Sequence, residues 1–511
     1  MEWLIDNAET YDRLLRAFRH ARRCVWIAQL AFDPDCVAHP PKAGDSPRAA
    51  STASDGGVLA EALLGAAASG SVDVRILLNS TLLLDTAAPL RRFFAAAGAD
   101  VRRVRVRGVS RFPHLLHAKL VIVDGIEAFL VGSPFVNGYW DDPRHHPVDA
   151  RRPPRELAGR PLHDVSLRLT GPAVHDLEAI FAELWNEAAV ATAGDEALRP
   201  SRAPAPPDRR GAIRVVRTAP SGVLRRRPEG AREILDACCA GIERARSLIY
   251  VEHQYLSARP VLAALAGALA RAPALEVVVV LNQNPDVTAY RGWQNERLAE
   301  FGLLEHPRVG LFALWSAEPR GTQPGVVNVN QLFVHSKVIT VDDEWATVGS
   351  ANLDGVSLHS YGDDFAGRLA RRVFRQVRNF DLNVTVRDGT DGAPRTGSVA
   401  DLRMRLWGEH LGVPSAELDV RPWGGWLPVW RDRAARNVAA LAAVALADGG
   451  ESVGAPPAMS GFVLPYSVCS TPPEQLADVG VRVDPTRLHV CFNPGWLEVH
   501  FSPSWVRNMF P

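Results

Sequence analysis

The sequence predicts an α/β protein of two homologous α/β/α lobes, related by a pseudo-two-fold axis and followed by a C-terminal extension. Three observations carry this. Helix-periodic segments alternate with short, almost wholly apolar runs, the pattern of strands buried on both faces of a helix-covered sheet. The alternation runs through once and then repeats. The phrase His117-Ala-Lys119-Leu-Val-Ile-Val-Asp124, with Gly132-Ser133 after it, returns as His335-Ser-Lys337-Val-Ile-Thr-Val-Asp342, with Gly349-Ser350-Ala351-Asn352 after it.

Apolar positions at helical spacing predict a helix within residues 3–23, and Cys24–Phe32 reads as a strand. A Pro-, Ser- and Gly-rich loop at 38–57 precedes a helix near 58–69 and the strand 72–78. A helix near 88–98, a strand at 101–106 and the first motif complete the first lobe. The second lobe replays this order. A helix near 230–245, strand 247–255, helix 260–271, strand 275–281, helix 288–302 and a strand near 309–314 lead to the second motif. Crowded Ala, Arg and Pro near 191–213 mark the seam, so the lobes are placed at 1–195 and 212–395. The extension, 396–511, opens with a helix stopped at Gly412 and is rich in Trp (Trp423, Trp426, Trp430, Trp496, Trp505). These tryptophans read as core, with an interfacial belt as the alternative.

Composition bounds the function. With 57 Lys plus Arg against 57 Asp plus Glu, the net charge is zero, which weakens a nucleic-acid partner. The six cysteines lack zinc-ligand spacing and read as free core thiols. Without a leader-like N-terminus or an 18-residue apolar run, the expectation is a cytoplasmic, monomeric protein with peripheral membrane contact as an option.

Only three lysines occur, Lys42, Lys119 and Lys337, and two of them stand in the paired motif. Elsewhere arginine supplies positive charge, so a compact ammonium is needed at these two places. Alternation puts His and Lys of each H-x-K on one face of a strand. Two such strands meeting at a pseudo-dyad bring two imidazoles and two ammonium groups together.

Two copies of H-x-K-x4-D resemble the signature of the phospholipase D superfamily. Secondary phrases resemble its phospholipid-acting members: Ile249–Leu256 is similar to their "IYIENQYF", Val215–Thr218 to "QxxRT", His163-Asp164 with Gly171–Val174 and Trp185 to "HD…GPAV…W", and Leu406–Gly412 to "LWxEHLG". The resemblance implies cleavage of a phospholipid at its headgroup bond through a phosphohistidine, with transfer to an alcohol as a second outcome. It implies His117 as nucleophile and His335 as general acid/base, although the symmetry of the motifs leaves the order open. Lys119 and Lys337 would stabilise charge on the phosphate oxygens without a metal or cofactor.

Asp164, 47 residues after His117, and Asp381, 46 residues after His335, are expected to orient the histidines. Asp124 and Asp342 are expected to tie down strand and loop. Gly349 to Asn352 should end a strand and begin a helix, with Ser350 and Asn352 donating to phosphate. Ser133 and Asn137 are their expected first-half counterparts, because Phe135 stands where the family has Asn. His253 reads equally as pocket lining or core, and His114, His145, His146 and His163 as surface or packing. Tyr255, Trp140 and Tyr361 are further candidates to shape the pocket. Two other functions stay open: a phosphodiesterase or phosphotransferase for a soluble small molecule or nucleic acid, and a catalytically silent phosphate- or lipid-binding protein. A zinc site at His117, His335, Asp164 and Asp381 is disfavoured by the paired lysines, which would repel the ion.

Overall fold

The computed structural model describes all residues except 41–56, 81–84, 110–113, 154–156, 158, 189–196, 201–211, 322–324, 359–378, 389–397, 447–457 and 492–511. Most of the expected loop at 38–57 and of the seam at 191–213, together with Tyr361, Trp496 and Trp505, fall outside the described residues.

Two mixed sheets carry the fold. The first consists of β1 (Glu2–Ile5), β2 (Cys24–Ala28), β3 (Asp73–Asn79), β4 (Val104–Val109), β5 (Leu120–Val123), β6 (Glu127–Leu130) and β7 (Val165–Thr170), in the order β1-β7-β6-β5-β2-β3-β4. The second has at its centre β8 (Ile213–Ala219), β9 (Leu248–His253), β10 (Glu276–Leu281), β11 (Val309–Pro319), β12 (Lys337–Val341), β13 (Trp345–Gly349) and β14 (Asn379–Arg387), in the order β8-β14-β13-β12-β9-β10-β11. Strand for strand the order is the same. Among the seven strands named in each, the pairings that join the last three are parallel and the others antiparallel. The second sheet grows at its β11 side, where Val327–Gln331 and Val463–Pro465 both pair antiparallel with β11.

Period-two alternation sends each strand's side chains into two cores. In β5, Leu120 and Ile122 face a cluster shared by both sheets, whereas Val121 and Val123 face α1 (Asp6–His20), α2 (Leu59–Ala68) and α3 (Ala87–Ala96). In β9, Tyr250 faces the shared cluster, and Ile249 and Val251 face α5 (Glu233–Ile242) and α6 (Arg259–Arg271). Between the sheets lie α4 (Pro172–Ala188), α7 (Ser398–Leu411) and the start of α8 (Leu427–Leu446), bringing Phe181, Trp185, Trp407 and Trp430 into that central cluster. Each large apolar side chain buried there contributes about 1.5–3 kcal/mol.

Three expectations need correction. The N-terminal helix begins only at Asp6, because Trp3-Leu4-Ile5 forms the edge strand β1 on β7. The helix expected to start at 349–352 begins only at Gly355, so Ser350 and Asn352 do not sit at a helix start. The tryptophans divide: Trp426 and Trp430 are buried, but Trp423 is exposed. Trp423 follows Arg421, which pairs with Glu276 at the start of β10, the end remote from Lys337. An interfacial belt there would face away from the paired motif. All six cysteines are free, and no helix among the described residues is long and apolar enough to cross a membrane.

Trp430→Ala should lower stability by about 3–5 kcal/mol, read as a shift in urea midpoint. A shift below about 0.5 kcal/mol would contradict one core shared by both sheets.

Candidate active site

The two motif aspartates sit at the far end of their strands and hold loops. Asp124 and Asp342 have φ of 56° and 54°, a left-handed conformation that aspartate tolerates better than most residues. The Asp124 carboxylate accepts from the backbone N–H of Arg22 (3.0 Å), Arg23 (2.7 Å) and Cys24 (3.0 Å). Asp342 accepts from the N–H of Arg246, Ser247 and Leu248, each at 2.8 Å. Each aspartate thus fixes the chain entering the strand next to its own motif strand, β2 in one half and β9 in the other.

At the opposite end the histidines meet carboxylates, with partners crossed. His117 Nδ1 lies 2.7 Å from Asp381 Oδ1, and His335 Nδ1 lies 2.8 Å from Asp164 Oδ2. Each imidazole therefore takes its aspartate from the other half, whereas matched spacing within each half pointed to the same half. Short parallel pairings explain the exchange. Leu115–Leu116 pairs with Asn379–Phe380, and Phe333–Val334 pairs with Leu162–His163. The His117 N–H donates to Phe380 O at 3.0 Å and the His335 N–H to His163 O at 2.8 Å. The residues just before each histidine are thus zipped to those just before the opposite aspartate.

Glycine and serine complete each pair. A Cβ on Gly132 would lie 2.0 Å from Asp164 Oδ1, and one on Gly349 would lie 2.3 Å from Leu382 O. The glycines admit the aspartate segments rather than a substrate. Ser133 Oγ donates to Asp164 and accepts from Asn7 Nδ2 at 2.9 Å; Ser350 Oγ donates to Asp381 Oδ1 at 2.8 Å. A hydroxyl has one proton to give, and here it goes to the carboxylate, so these serines are not placed as phosphate donors.

Asn137 is also displaced from its expected role. Its amide donates to Asp35 O at 2.8 Å and accepts from the Val37 N–H at 3.0 Å, which fastens a loop. Phe135, at the position matching Asn352, packs against Tyr11 and Phe32. Asn352 is buried with its Oδ1 unbonded among the described residues. His253 stands opposite Lys337 in the β9–β12 register, with Nδ1 likewise unbonded, and is held neutral by burial and then by Lys337. Trp140 is buried with its indole N–H on Ala38 O at 3.1 Å, and Tyr255 donates to Asp286.

Both lysines are buried. Lys119 Nζ lies 3.4 Å from His117 Nε2 and 3.1 Å from His117 O. Lys337 Nζ donates to His335 O and, at 3.0 Å, to Gln254 Oε1. Gln254 lies in the phrase Ile249–Leu256 that resembles the family's "IYIENQYF", but only the β9–β12 pairing shows it to be the lysine's partner.

Fields cross the halves as well: Lys337 disfavours the His117 imidazolium, and Lys119 disfavours that of His335. Burial is the larger cause for every cation in the site. It pushes Lys119 down to about 8, Lys337 to about 7 and His335 to about 4, and it lowers His117 as well. Burial would raise the two aspartates, yet the facing histidines, lysines and serines together outweigh it: Asp164 is held down to about 2 and Asp381 below its usual range. The result is a dry cradle with surplus positive capacity and ionised carboxylates behind the rings, suited to an anion. His117 is the more open ring, 12% exposed against 5% for His335.

The family model for the cardiolipin synthase, PLD-like domain matches residues 238–366, which include the second H-x-K-x4-D motif. Phospholipase D alpha 1 of Ricinus communis is 23% identical over 418 residues, 60% of this chain and 49% of that protein. In sequence the chain is similar to phospholipase D proteins and, over its second motif, to the PLD-like domain. Phospholipase D zeta 1 of Arabidopsis thaliana is 33% identical over a shorter stretch of 138 residues, 26% of this chain and 12% of that protein. The matched region thus spans about half of the Ricinus protein and much less of the zeta protein. A crystal structure of phosphatidylserine synthase from Haemophilus influenzae shares the fold over 80% of this chain and 85% of its own, with TM-score 0.51 and 10% identity.

The depressed lysines make a linkage prediction. In the folded, ligand-free state Lys337 and Lys119 lose protons near 7 and 8, well below their value of 10.5 in an unfolded chain. Between about pH 7 and 10.5 the unfolded chain binds more protons, so their contribution to stability rises with pH. An anion in the cradle restores the charged forms. Binding of inorganic phosphate at pH 8 should take up about one proton, measured by calorimetry in buffers of different ionisation enthalpy. Proton release would show that the lysines are not the anion's partners.

Proposed function

We propose that this protein cleaves the headgroup phosphodiester of a phospholipid through a phosphohistidine, as a hydrolase or as a phosphatidyltransferase. The observation that carries the proposal is the pair of crossed His–Asp contacts with two buried lysines beside them. Similarity to the PLD-like domain, to phospholipase D proteins and to the phosphatidylserine synthase supports it.

Asp381 on Nδ1 of His117 keeps the proton there and leaves the Nε2 lone pair to attack phosphorus. The P–N bond forms as the P–O bond to the leaving group breaks. Protonated His335, its Nδ1 on Asp164, gives a proton to the departing alkoxide. Both rings are neutral in the free site, so His335 acquires its proton with the substrate, whose negative charge offsets Lys337 and Lys119. Water or an alcohol then gives its proton to His335 and attacks phosphorus, restoring His117. The lysines stabilise the nonbridging oxygens throughout, and the residues at hand perform the two steps without a cofactor. The order of the histidines follows the family resemblance. Peripheral contact with a membrane, a cytoplasmic setting and a monomeric state belong to the same proposal.

Rapid quenching with substrate labelled at phosphorus should trap an acid-labile adduct. His117→Ala should abolish it, and Asp381→Asn should slow its formation about 10²–10⁴-fold, because the ring loses its tautomer. Asp164→Asn should instead impair turnover through His335. An adduct that persists in His117→Ala but not in His335→Ala would reverse the roles. Phospholipid vesicles, bis-p-nitrophenyl phosphate and single-stranded DNA should be compared side by side. Brisk DNA cleavage with inert vesicles would overturn the lipid assignment.

A further inference from the structure

Beside the Asp164–His335 pair lies a second cluster of titratable side chains, which the phosphodiester chemistry leaves unused. Asp6, His145, His163 and Glu409 each turn one possible ligand atom toward a common point, with all four atoms within 4.8 Å of one another. The first three residues are fully buried, and the Glu409 side chain is 12% exposed. His145 and His163 were expected at the surface or as ordinary packing; they are instead the centre of this cluster.

Ring orientation is the first argument. His145 Nδ1 lies 3.0 Å from Asp141 Oδ2, and His163 Nε2 lies 3.0 Å from Glu252 Oε1. Those carboxylates are themselves anchored: Asp141 by Arg152 at 2.7 Å, Glu252 by His410 Nε2 at 2.8 Å and by Tyr250 and Ser336. The His145 contact is a hydrogen bond, so that ring can present its Nε2 lone pair inward, the arrangement of a metal-ligating histidine; the His163 contact is one of proximity only.

Spacing is the second. His145 Nε2 is 3.1 Å from Glu409 Oε1 and 3.4 Å from Asp6 Oδ2; His163 Nδ1 is 3.0 Å from Asp6 Oδ1 and 3.0 Å from Glu409 Oε1. A tetrahedron with bonds of about 2.0 Å has edges of about 3.3 Å; the two histidines approach different oxygens of Asp6, so the set, spread over up to 4.8 Å, would tighten around an ion. Unmet valence is the third. Asp6 Oδ2 and both ring nitrogens of His163 are buried, yet none makes a hydrogen bond among the described residues. One N–H on His163 could not point at both carboxylates that flank it. Two buried carboxylates facing two imidazoles call for two positive charges, which either two ring protons or one divalent cation supplies.

We propose that Asp6, His145, His163 and Glu409 form a closed, four-ligand site for a divalent cation of the zinc class. With every position filled by protein, the ion is structural rather than catalytic. It ties the turn between β1 and α1, the 141–152 loop, the segment entering β7 and the end of α7 into one unit beside Asp164. This inference goes beyond the phosphodiesterase reading and does not rest on it.

The test uses the full chain. After purification and incubation with Zn²⁺, then removal of excess, elemental analysis should find about one zinc per chain, falling below about 0.1 in Glu409→Gln. X-ray absorption of the loaded wild-type chain should show only nitrogen and oxygen neighbours at about 2.0–2.1 Å, two of them imidazole. That measurement stands even if the variant fails to fold. Less than about 0.1 zinc in the wild type, a sulfur neighbour, or full retention of zinc by a folded Glu409→Gln would overturn the proposal. In the first case the inner ring nitrogens carry two protons in place of one dication, and the cluster is a buried ion network.

Discussion

The exchange of carboxylates between halves is the contact on which the site depends. An imidazole can serve as nucleophile or acid only if its tautomer and its plane are fixed, and a buried carboxylate on Nδ1 does both. Here each half is incomplete alone: His117 needs Asp381, and His335 needs Asp164. The cross-half strand pairs at Leu115–Leu116 and at Phe333–Val334 set that geometry with backbone bonds, which hold position more rigidly than side chains could. The shared core of Trp185, Trp407 and Trp430 then keeps the sheets together.

Burial gives the site its electrostatics. Lysines buried without a carboxylate in direct contact are costly, and the cost appears as depressed proton affinity rather than as a fixed charge. Such a site is poised for an anion: a bound phosphate supplies the missing negative charge. The aspartates stay ionised because the histidines and lysines face them. Serine hydroxyls and close-fitting glycines hold those carboxylates, so residues that read as substrate contacts turn out to support the support.

The halves share a plan but not an environment. Beside His335 lie His163, Glu252 and Ser336; the matching places beside His117 are Phe380, Ala28 and Ala118. One histidine therefore backs onto a buried polar cluster and the other onto apolar packing. The proposed division of nucleophile and acid needs two inequivalent imidazoles, and this is where their surroundings part.

Much was legible in the chain because its causes are local. Strand and helix periods gave both sheets, since alternation and 3.6-residue spacing are imposed by backbone geometry. The scarcity of lysine singled out Lys119 and Lys337, and the motif aspartates capped loops as their spacing suggested. The role of Gln254, the redirected serines, Asn137 and the edge strand at Trp3 were not legible, because each depends on which segment arrives from far along the chain. The crossing of Asp164 and Asp381 is the clearest case. Nearly equal spacings of 47 and 46 residues describe the repeat faithfully, yet they cannot say whether an aspartate serves its own half or the other. That choice belongs to the packing of two sheets against each other, where contacts between distant residues, rather than the run of neighbours, fix the partner.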